Sequence, residues 1–258
     1  MKRIVQSYFF VESCREVALN AYLLRFVAPE IASIALPGQF VNILTSVTGE
    51  GPLLRRPFSI ARIDGSSIEI LFNVIGKGTS LLSQKTSGSQ IDVIGPLGKS
   101  FRIDDKYDVA CVVAGGIGVA PFPFLTNCLL EKNKHVETFV GFRNSTQVFV
   151  DHLQNVHIAT DDGSTGFHGN VIQLFESTLN KLHSLKIKIF SCGPTVMLKA
   201  LIEFAKQNNI SCELSLEEHM ACGVGICQGC PVKRTNGNSA YALVCKDGPI
   251  FDSREIIL

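Results

Sequence analysis

The sequence is short of net charge, of secretory features and of paired metal knuckles, and each lack narrows what it can be. Its 24 Lys and Arg nearly balance 23 Asp and Glu, leaving a formal charge of +1 over 258 residues. Nothing in that balance points to nucleic acid or an acidic membrane surface as partner. The opening Met1-Lys2-Arg3-Ile4-Val5 does not run on into a signal-peptide core, because Gln6, Ser7, Glu12 and Cys14-Arg15-Glu16 interrupt it and no small-residue cleavage site follows. A stretch of 22 residues from Val109 to Leu130 carries no charge, a length that nominally spans a bilayer. Gly115, Gly116, Gly118, Pro121 and Pro123 break any single helix there, so a buried strand, a glycine turn and a helix are expected instead. These absences predict a soluble, cytoplasmic protein. With 46% hydrophobic and 18% charged residues, the chain has core enough for two domains and a small appendage.

Cysteine, by contrast, is plentiful. Five of the nine (Cys14, Cys111, Cys128, Cys192 and Cys212) are scattered without motif spacing, which suits a reducing compartment. The other four form Cys222-Gly223-Val224-Gly225-Ile226-Cys227-Gln228-Gly229-Cys230 with Cys245 further on. C-x4-C-x2-C with a distant fourth cysteine is the spacing of plant-type [2Fe–2S] ligation. Two irons bridged by two sulfides take four thiolates, and a tight loop can supply three of them. Gly223, Gly225 and Gly229 let that loop curve and bring backbone N–H groups towards charged sulfur. A structural zinc site would use the same residue type, but zinc sites usually pair two knuckles and here only Cys227 and Cys230 make one. Structural disulfides suit a secreted chain, which this is not expected to be.

The first hundred residues carry short apolar runs at close spacing: Tyr22–Val27, Phe40–Leu44, Phe58–Ala61, Ile68–Phe72 and Ile91–Ile94. Several alternate with period two, and Pro37-Gly38, Asp64-Gly65 and Gly95-Pro96 punctuate them, which predicts a small antiparallel barrel or sandwich over 1–100. From 101 to 212 the grammar becomes strand, turn, helix. Val109–Val113 reads as a buried parallel strand, followed by Gly115-Gly116-Ile117-Gly118-Val119-Ala120-Pro121 and a helix from Phe122 to Leu130. Further strands are expected at Val136–Gly141, Val156–Ala159 and Lys188–Ser191, giving a doubly wound parallel sheet with its first glycine loop at the ligand-binding edge. The loop is not G-x-G-x-x-G, yet its glycines can admit a dinucleotide pyrophosphate to backbone N–H groups. Asp161-Asp162-Gly163-Ser164 follows a strand and either faces the nucleotide or forms a plain Asp-Gly turn. The remaining residues, 213–258, hold the cysteine loop. The histidines outside that Asp-Gly stretch show no ligand spacing and are expected to be structural.

Two clusters in the first region, Arg55-Arg56-Pro57-Phe58-Ser59-Ile60 and Asn73-Val74-Ile75-Gly76-Lys77-Gly78-Thr79-Ser80, resemble in this order the flavin domain of the ferredoxin reductase superfamily. G-G-x-G-x-x-P and Cys192-Gly193-Pro194 resemble the pyridine-nucleotide domain of the same superfamily. The resemblance implies that Arg56 pairs with the FAD pyrophosphate, that Pro57-Phe58 packs on the isoalloxazine and that Ser59 bonds near its reactive nitrogen. It also implies that Leu71, Phe72 and Asn73 line the flavin and that Gly78 and Thr79 hold phosphate. Gly115, Gly116, Gly118 and Pro121 would hold the nucleotide, while Cys192, with Gly193 and Pro194, would sit at the nicotinamide as the catalytic end of the site. Phe58 stands where Tyr is usual, and Asn73 where a basic residue is common, so Arg55 or Lys77 could share the charge of Arg56.

The three modules in this order, with Glu218-His219-Met220-Ala221 leading into the cysteines and Val244-Cys245-Lys246-Asp247-Gly248-Pro249 closing them, resemble the electron-transfer subunits of type B dihydroorotate dehydrogenases over essentially the whole chain. Pro231 directly after the third ligand departs from that pattern. The resemblance implies a partner subunit containing FMN that oxidises dihydroorotate to orotate in pyrimidine biosynthesis, in a heterotetramer of two copies of each chain. Electrons would pass through the cluster, held by Cys222, Cys227, Cys230 and Cys245, to FAD and then to NAD+. Other readings are a related NAD(P)H subunit serving ferredoxin or a sulfur substrate, an oxygenase reductase, or a zinc-stapled nucleotide-binding regulator without redox activity. For NAD against NADP the residues themselves are ambiguous: Arg143 and Ser145 after the second strand suit a 2′-phosphate, whereas the resemblance implies NAD.

Overall fold

The computed structural model describes residues 4–46, 51–179, 185–235 and 239–258. Six antiparallel strands close a barrel in the order β1-β2-β5-β4-β3-β6: β1 (Val5–Ala18), β2 (Ala21–Val27), β3 (Phe40–Leu44), β4 (Arg56–Asp64), β5 (Ser67–Asn73) and β6 (Gln90–Leu97). Inward-facing Phe26, Ile43, Ile60, Ile68 and Ile70 are wholly buried, and β2 and β5 set Leu24 opposite Ile70. Two residues connect β4 to β5, and Gly65 there has φ +59°, a left-handed conformation that glycine adopts without steric cost. A one-turn helix, α1 (Pro29–Ala32), follows β2, and a short helix, α2 (Lys77–Ser83), follows β5.

The second layer is a seven-stranded sheet built around β7 (Val109–Gly115), every residue of which is buried. On one side lie β8 (His135–Phe142), β9 (Val156–Thr160) and the short β10 (Phe167–His168); on the other lie β11 (Ile187–Cys192) and β12 (Ser211–Ser215). All of these run parallel. Helix α3 (Phe122–Glu131) packs one face with the barrel beyond it, and α4 (Val171–Leu179) and α5 (Thr195–Gln207) share the other face. The fold class expected from the sequence is the one found. Among the described residues no helix is long and apolar enough to cross a membrane, and Val109–Leu130 is a strand, a turn and a helix as expected.

The tail forms a small three-stranded sheet, β14-β13-β16, from β13 (Pro231–Arg234), β14 (Tyr241–Leu243) and β16 (Ile256–Ile257), with a helical turn α6 (Val244–Asp247). It also returns one strand, β15 (Ile250–Asp252), to the large sheet, antiparallel to β12. The loop carrying the cysteines therefore leaves and re-enters the same sheet edge. Its core is continuous with the sheet's, since Cys230, Val232, Val244, Cys245 and Phe251 pack in one cluster with Val113, Ile189 and Leu214.

A charged cluster welds this edge to the connection leaving the barrel. Lys188 on β11 is 1% exposed; its Nζ donates to the Arg102 carbonyl at 2.6 Å, pairs with Asp105 and lies 3.3 Å from Glu213. Glu213 faces Asp252 across β12 and β15, Arg102 pairs with both, and Arg254 holds Asp252 at 2.7 Å. Desolvation alone would raise the Asp252 carboxyl, but its hydrogen bonds to Arg254 and Arg102 outweigh that and hold it at about 2. Glu213→Ala leaves the Lys188 ammonium buried with one carboxylate fewer and should cost about 3–5 kcal/mol. The test is the chemical-denaturation midpoint, and a loss smaller than about 1 kcal/mol would show that the cluster carries no such weight.

Candidate active site

A cleft of about 1740 Å³ opens where barrel, sheet and tail meet. The barrel supplies Arg56, Pro57, Phe58, Leu71, Asn73 and Thr79 to its wall, the sheet supplies Gly115 to Val119 with Gly193 and Pro194, and the tail supplies Glu217 to Ala221. Residues chosen from three separate stretches of sequence thus share one cavity. Ser59, Phe72, Gly78, Pro121 and Cys192 lie behind that wall rather than in it. Phe72 turns into the barrel with its ring 5.5 Å from that of Phe58, and Cys192 is 2% exposed.

The two arginines of the first cluster divide. Arg55 is bound to Asp92 on β6 through both the carboxylate and the backbone carbonyl. Arg56 bonds only to the carbonyls of Leu54, at 2.8 Å, and Arg55, at 3.2 Å, and has no carboxylate partner among the described residues. Its positive charge is thus available to the cleft, whereas that of Arg55 is spent. Thr79 closes the first turn of α2, its Oγ1 accepting from the Ile75 N–H at 2.9 Å and the Gly76 N–H at 3.2 Å. Beside it lies a residue that sequence reasoning passed over. Thr45 ends the β3 hairpin, is wholly buried, and its Oγ1 has no hydrogen-bond partner among the described residues while lying within contact of Gly78. Thr45 and Gly78 both lie outside the cleft lining, so this hydroxyl backs the turn that starts α2. No sequence signal marks Thr45, because a threonine at a strand end is ordinary.

The glycines after β7 do different work. A Cβ on Gly115 would meet Pro194 and Met197 at 2.8 Å, and one on Gly118 would meet the Cys192 carbonyl oxygen at 2.5 Å. Those two allow the 3-10 turn Gly116–Val119 to press against the end of β11. Gly116 differs: it has φ +54° and nothing within 4 Å of its Cβ position, so it presents bare backbone to the cleft. That open backbone fits a pyrophosphate. Arg143 and Asp161 also reach the cleft wall, on neighbouring loops, with the Asp161 N–H bonded to the Phe142 carbonyl at 3.0 Å. Glu217, at the end of β12, is open to the cavity yet ringed by protein, and that desolvation raises its carboxyl above the usual range.

The cysteine loop follows directly. Cys230 Sγ and Cys245 Sγ are 3.2 Å apart and buried, and Cys222 and Cys227 make a second hydrogen-bonded pair, with Cys227 exposed. No three His, Cys, Asp or Glu side chains among the described residues converge as they would around a single ion. Two thiol pairs are what two irons need, so the donor set fits a binuclear cluster. Backbone donors already point at sulfur: the N–H groups of Val224 and Cys227 at Cys222, at 3.5 and 3.4 Å, and that of Gly229 at Cys227, at 3.4 Å. Desolvation would raise the Cys222 thiol, but these donors outweigh it and bring it down to about 6. Gly223 and Gly225, at φ +68° and +83°, give the loop its curvature.

Barrel, cleft and sheet define an oxidoreductase of the ferredoxin reductase fold with a cysteine loop added at its C-terminal end. Residues 217–257 match the iron-sulfur cluster binding domain of dihydroorotate dehydrogenase B. The dihydroorotate dehydrogenase B (NAD(+)) electron transfer subunit of Desulforamulus reducens is 37% identical over 93% of this chain and 94% of its own. That of Geobacillus thermodenitrificans is 39% identical over 96% and 97%. The chain belongs to this family of electron transfer subunits. Among solved structures, an NADH-dependent reduced ferredoxin-NADP oxidoreductase described for flavin-based electron bifurcation superposes with a TM-score of 0.85, at 27% identity, over 97% of this chain and 90% of that one.

The packing of the glycine turn is open to test. Gly118→Ala drives a Cβ into the Cys192 carbonyl and should lower stability by about 1–3 kcal/mol, whereas Gly76→Ala, with φ −175° and open space around it, should cost less than about 1 kcal/mol. Equal melting midpoints for Gly118→Ala and the unaltered protein would show that the turn is not wedged against β11.

Proposed function

We propose that this chain is the electron-transfer subunit of an NAD+-linked dihydroorotate dehydrogenase. The observation that carries the reading is the shared cavity: flavin-type strand, nucleotide-type turn and the approach to the cysteine loop line one cleft. When bound, the [2Fe–2S] cluster passes single electrons, FAD gathers two, and NAD+ accepts them as hydride. Cys222, Cys227, Cys230 and Cys245 hold the cluster as two pairs. Arg56 neutralises the FAD pyrophosphate, with Thr79 and Gly78 at the phosphate and Thr45 packed behind them; Pro57, Phe58, Leu71 and Asn73 wall the ring, and Ser59 and Phe72 support them from behind. Gly116 admits the nucleotide phosphate, and Gly115, Gly118 and Pro121 fix the turn that carries it. Gly193 and Pro194 face the nicotinamide side of the cleft. Cys192 backs them from behind the wall as a buried thiol whose ionisation is disfavoured by desolvation.

The partner is an FMN-containing subunit that oxidises dihydroorotate, in a cytoplasmic assembly of two copies of each chain. The relatives' designation as electron transfer subunits supports a partner. The exposed side of the loop, with Ile226 80% exposed beside Cys227, offers the cluster to it.

A second reading, an NADPH-linked subunit, draws on one observation: Arg143 stands in the cleft wall with no side-chain partner among the described residues. Anaerobically purified protein should show flavin bands with a cluster shoulder, and NADH should reduce the flavin with a larger kcat/KM than NADPH. A larger kcat/KM for NADPH would favour the second reading, and the lack of both chromophores would defeat both. Arg56→Ala removes a charge-assisted contact worth about 1.5–3 kcal/mol, so FAD affinity should fall about ten- to a hundredfold with the cluster intact. Full FAD occupancy of that variant after extensive dilution would remove Arg56 from the phosphate site.

A further inference from the structure

One buried amide has no account in the barrel's own packing. Asn42 sits mid-strand in β3, 1% exposed, between wholly buried Val41 and Ile43. An apolar side chain would suit that place better, because a buried amide must find partners or lose stability. Asn42 Oδ1 has none among the described residues. Its Nδ2 reaches out of the barrel and donates to the carbonyl of Cys222 at 3.3 Å, a contact across 180 positions of sequence. The next residue of the loop fits around it: a Cβ on Gly223 would lie 2.1 Å from Asn42 Nδ2, and Gly223 has φ +68°. On its other side Asn42 is in register with Pro57, within the Arg56–Ser59 stretch of β4. One side chain thus joins the strand next to the flavin-type motif to the first cysteine of the loop.

We propose that Asn42 is a positioning residue that fixes the cluster loop against the flavin barrel and thereby sets how fast electrons cross between the two groups. This rests on the electron-transfer reading above. In the step concerned one electron leaves the reduced cluster, whose Fe(II) becomes Fe(III), and enters the flavin, or returns by the reverse path; no ligand bond breaks. Displacing the loop therefore alters the rate without altering the chemistry of either end.

The test uses the holoprotein and two variants, Asn42→Leu, which fills the space without a donor, and Gly223→Ala, which pushes the loop away from an intact Asn42. Mixing with NADH reads two rates: bleaching of the flavin, and growth of the reduced cluster's paramagnetic signal in freeze-quenched samples. The expected result is unaltered flavin bleaching, while cluster reduction slows by about threefold or more, because electron tunnelling between two held groups weakens exponentially with their separation. The cluster's signal should persist with a shifted line shape, where Cys245→Ala would abolish it. An unchanged cluster rate in both variants overturns the proposal. So does loss of the whole cluster from variants that keep their flavin, since Asn42 would then be needed to build the loop rather than to place it. Lack of flavin or cluster in the unaltered protein would instead defeat the electron-transfer reading itself.

Discussion

Glu213 and Asp252 face one another across β12 and β15, both buried, and carboxylates so placed repel unless cations neutralise them. Lys188 comes from β11, Arg102 from the segment leaving the barrel, and Arg254 from the tail itself. The pairing of the last sheet strand is therefore conditional on charges from every part of the molecule. It also decides where the cysteine loop can be, because that loop begins at the end of β12 and ends at the start of β15. Cys222 and Cys245 stand a few residues from these two anchors, so a long excursion is held at both ends by one sheet edge.

Much of this architecture was legible before any coordinates. The short apolar runs at Phe40–Leu44 and Ile68–Phe72 are barrel strands, and Val109–Val113 is the central strand of the sheet; all three are covered on both faces, as near-continuous apolar runs imply. The long first strand was not legible. Val5–Ala18 buries only Phe9 and Val11 and exposes Tyr8 and Phe10, so its pattern of apolar residues reports pairing with β2 and β6 poorly. Nor was β15, whose Ile-Phe-Asp sequence is too short to carry a period and whose place depends on partners over a hundred residues away.

At the site, motifs revealed residues that act through spacing along the chain. They said nothing of those that act through space. Arg55 and Arg56 are adjacent and chemically alike, and only the position of Asp92 on another strand separates a structural cation from an available one. Three glycines in four positions suggested one role, whereas the packing of Met197, Pro194 and Cys192 against two of them leaves the third facing the cleft. Thr45 and Asn42 carried no signal at all, since each is defined by an unpartnered atom, a property that exists only once the chain has folded.

The scattered cysteines share a property with a bearing on how such a molecule wears out. Burial pushes Cys14 and Cys128 up to about 11 and Cys111 to about 12, and Cys192 and Cys212 higher still. Peroxide attacks the thiolate rather than the thiol, so these five sulfurs are poor targets at neutral pH. Reduced flavins make peroxide when oxygen reaches them, and a chain built to hold one would generate its own oxidant. With barrel and sheet thiols silent, damage concentrates on the outer half of the cysteine loop, where Cys227 is exposed and the Cys222 thiol is brought down to about 6. Ageing would strip the metal centre first and leave the flavin and nucleotide framework standing, ready to be refilled.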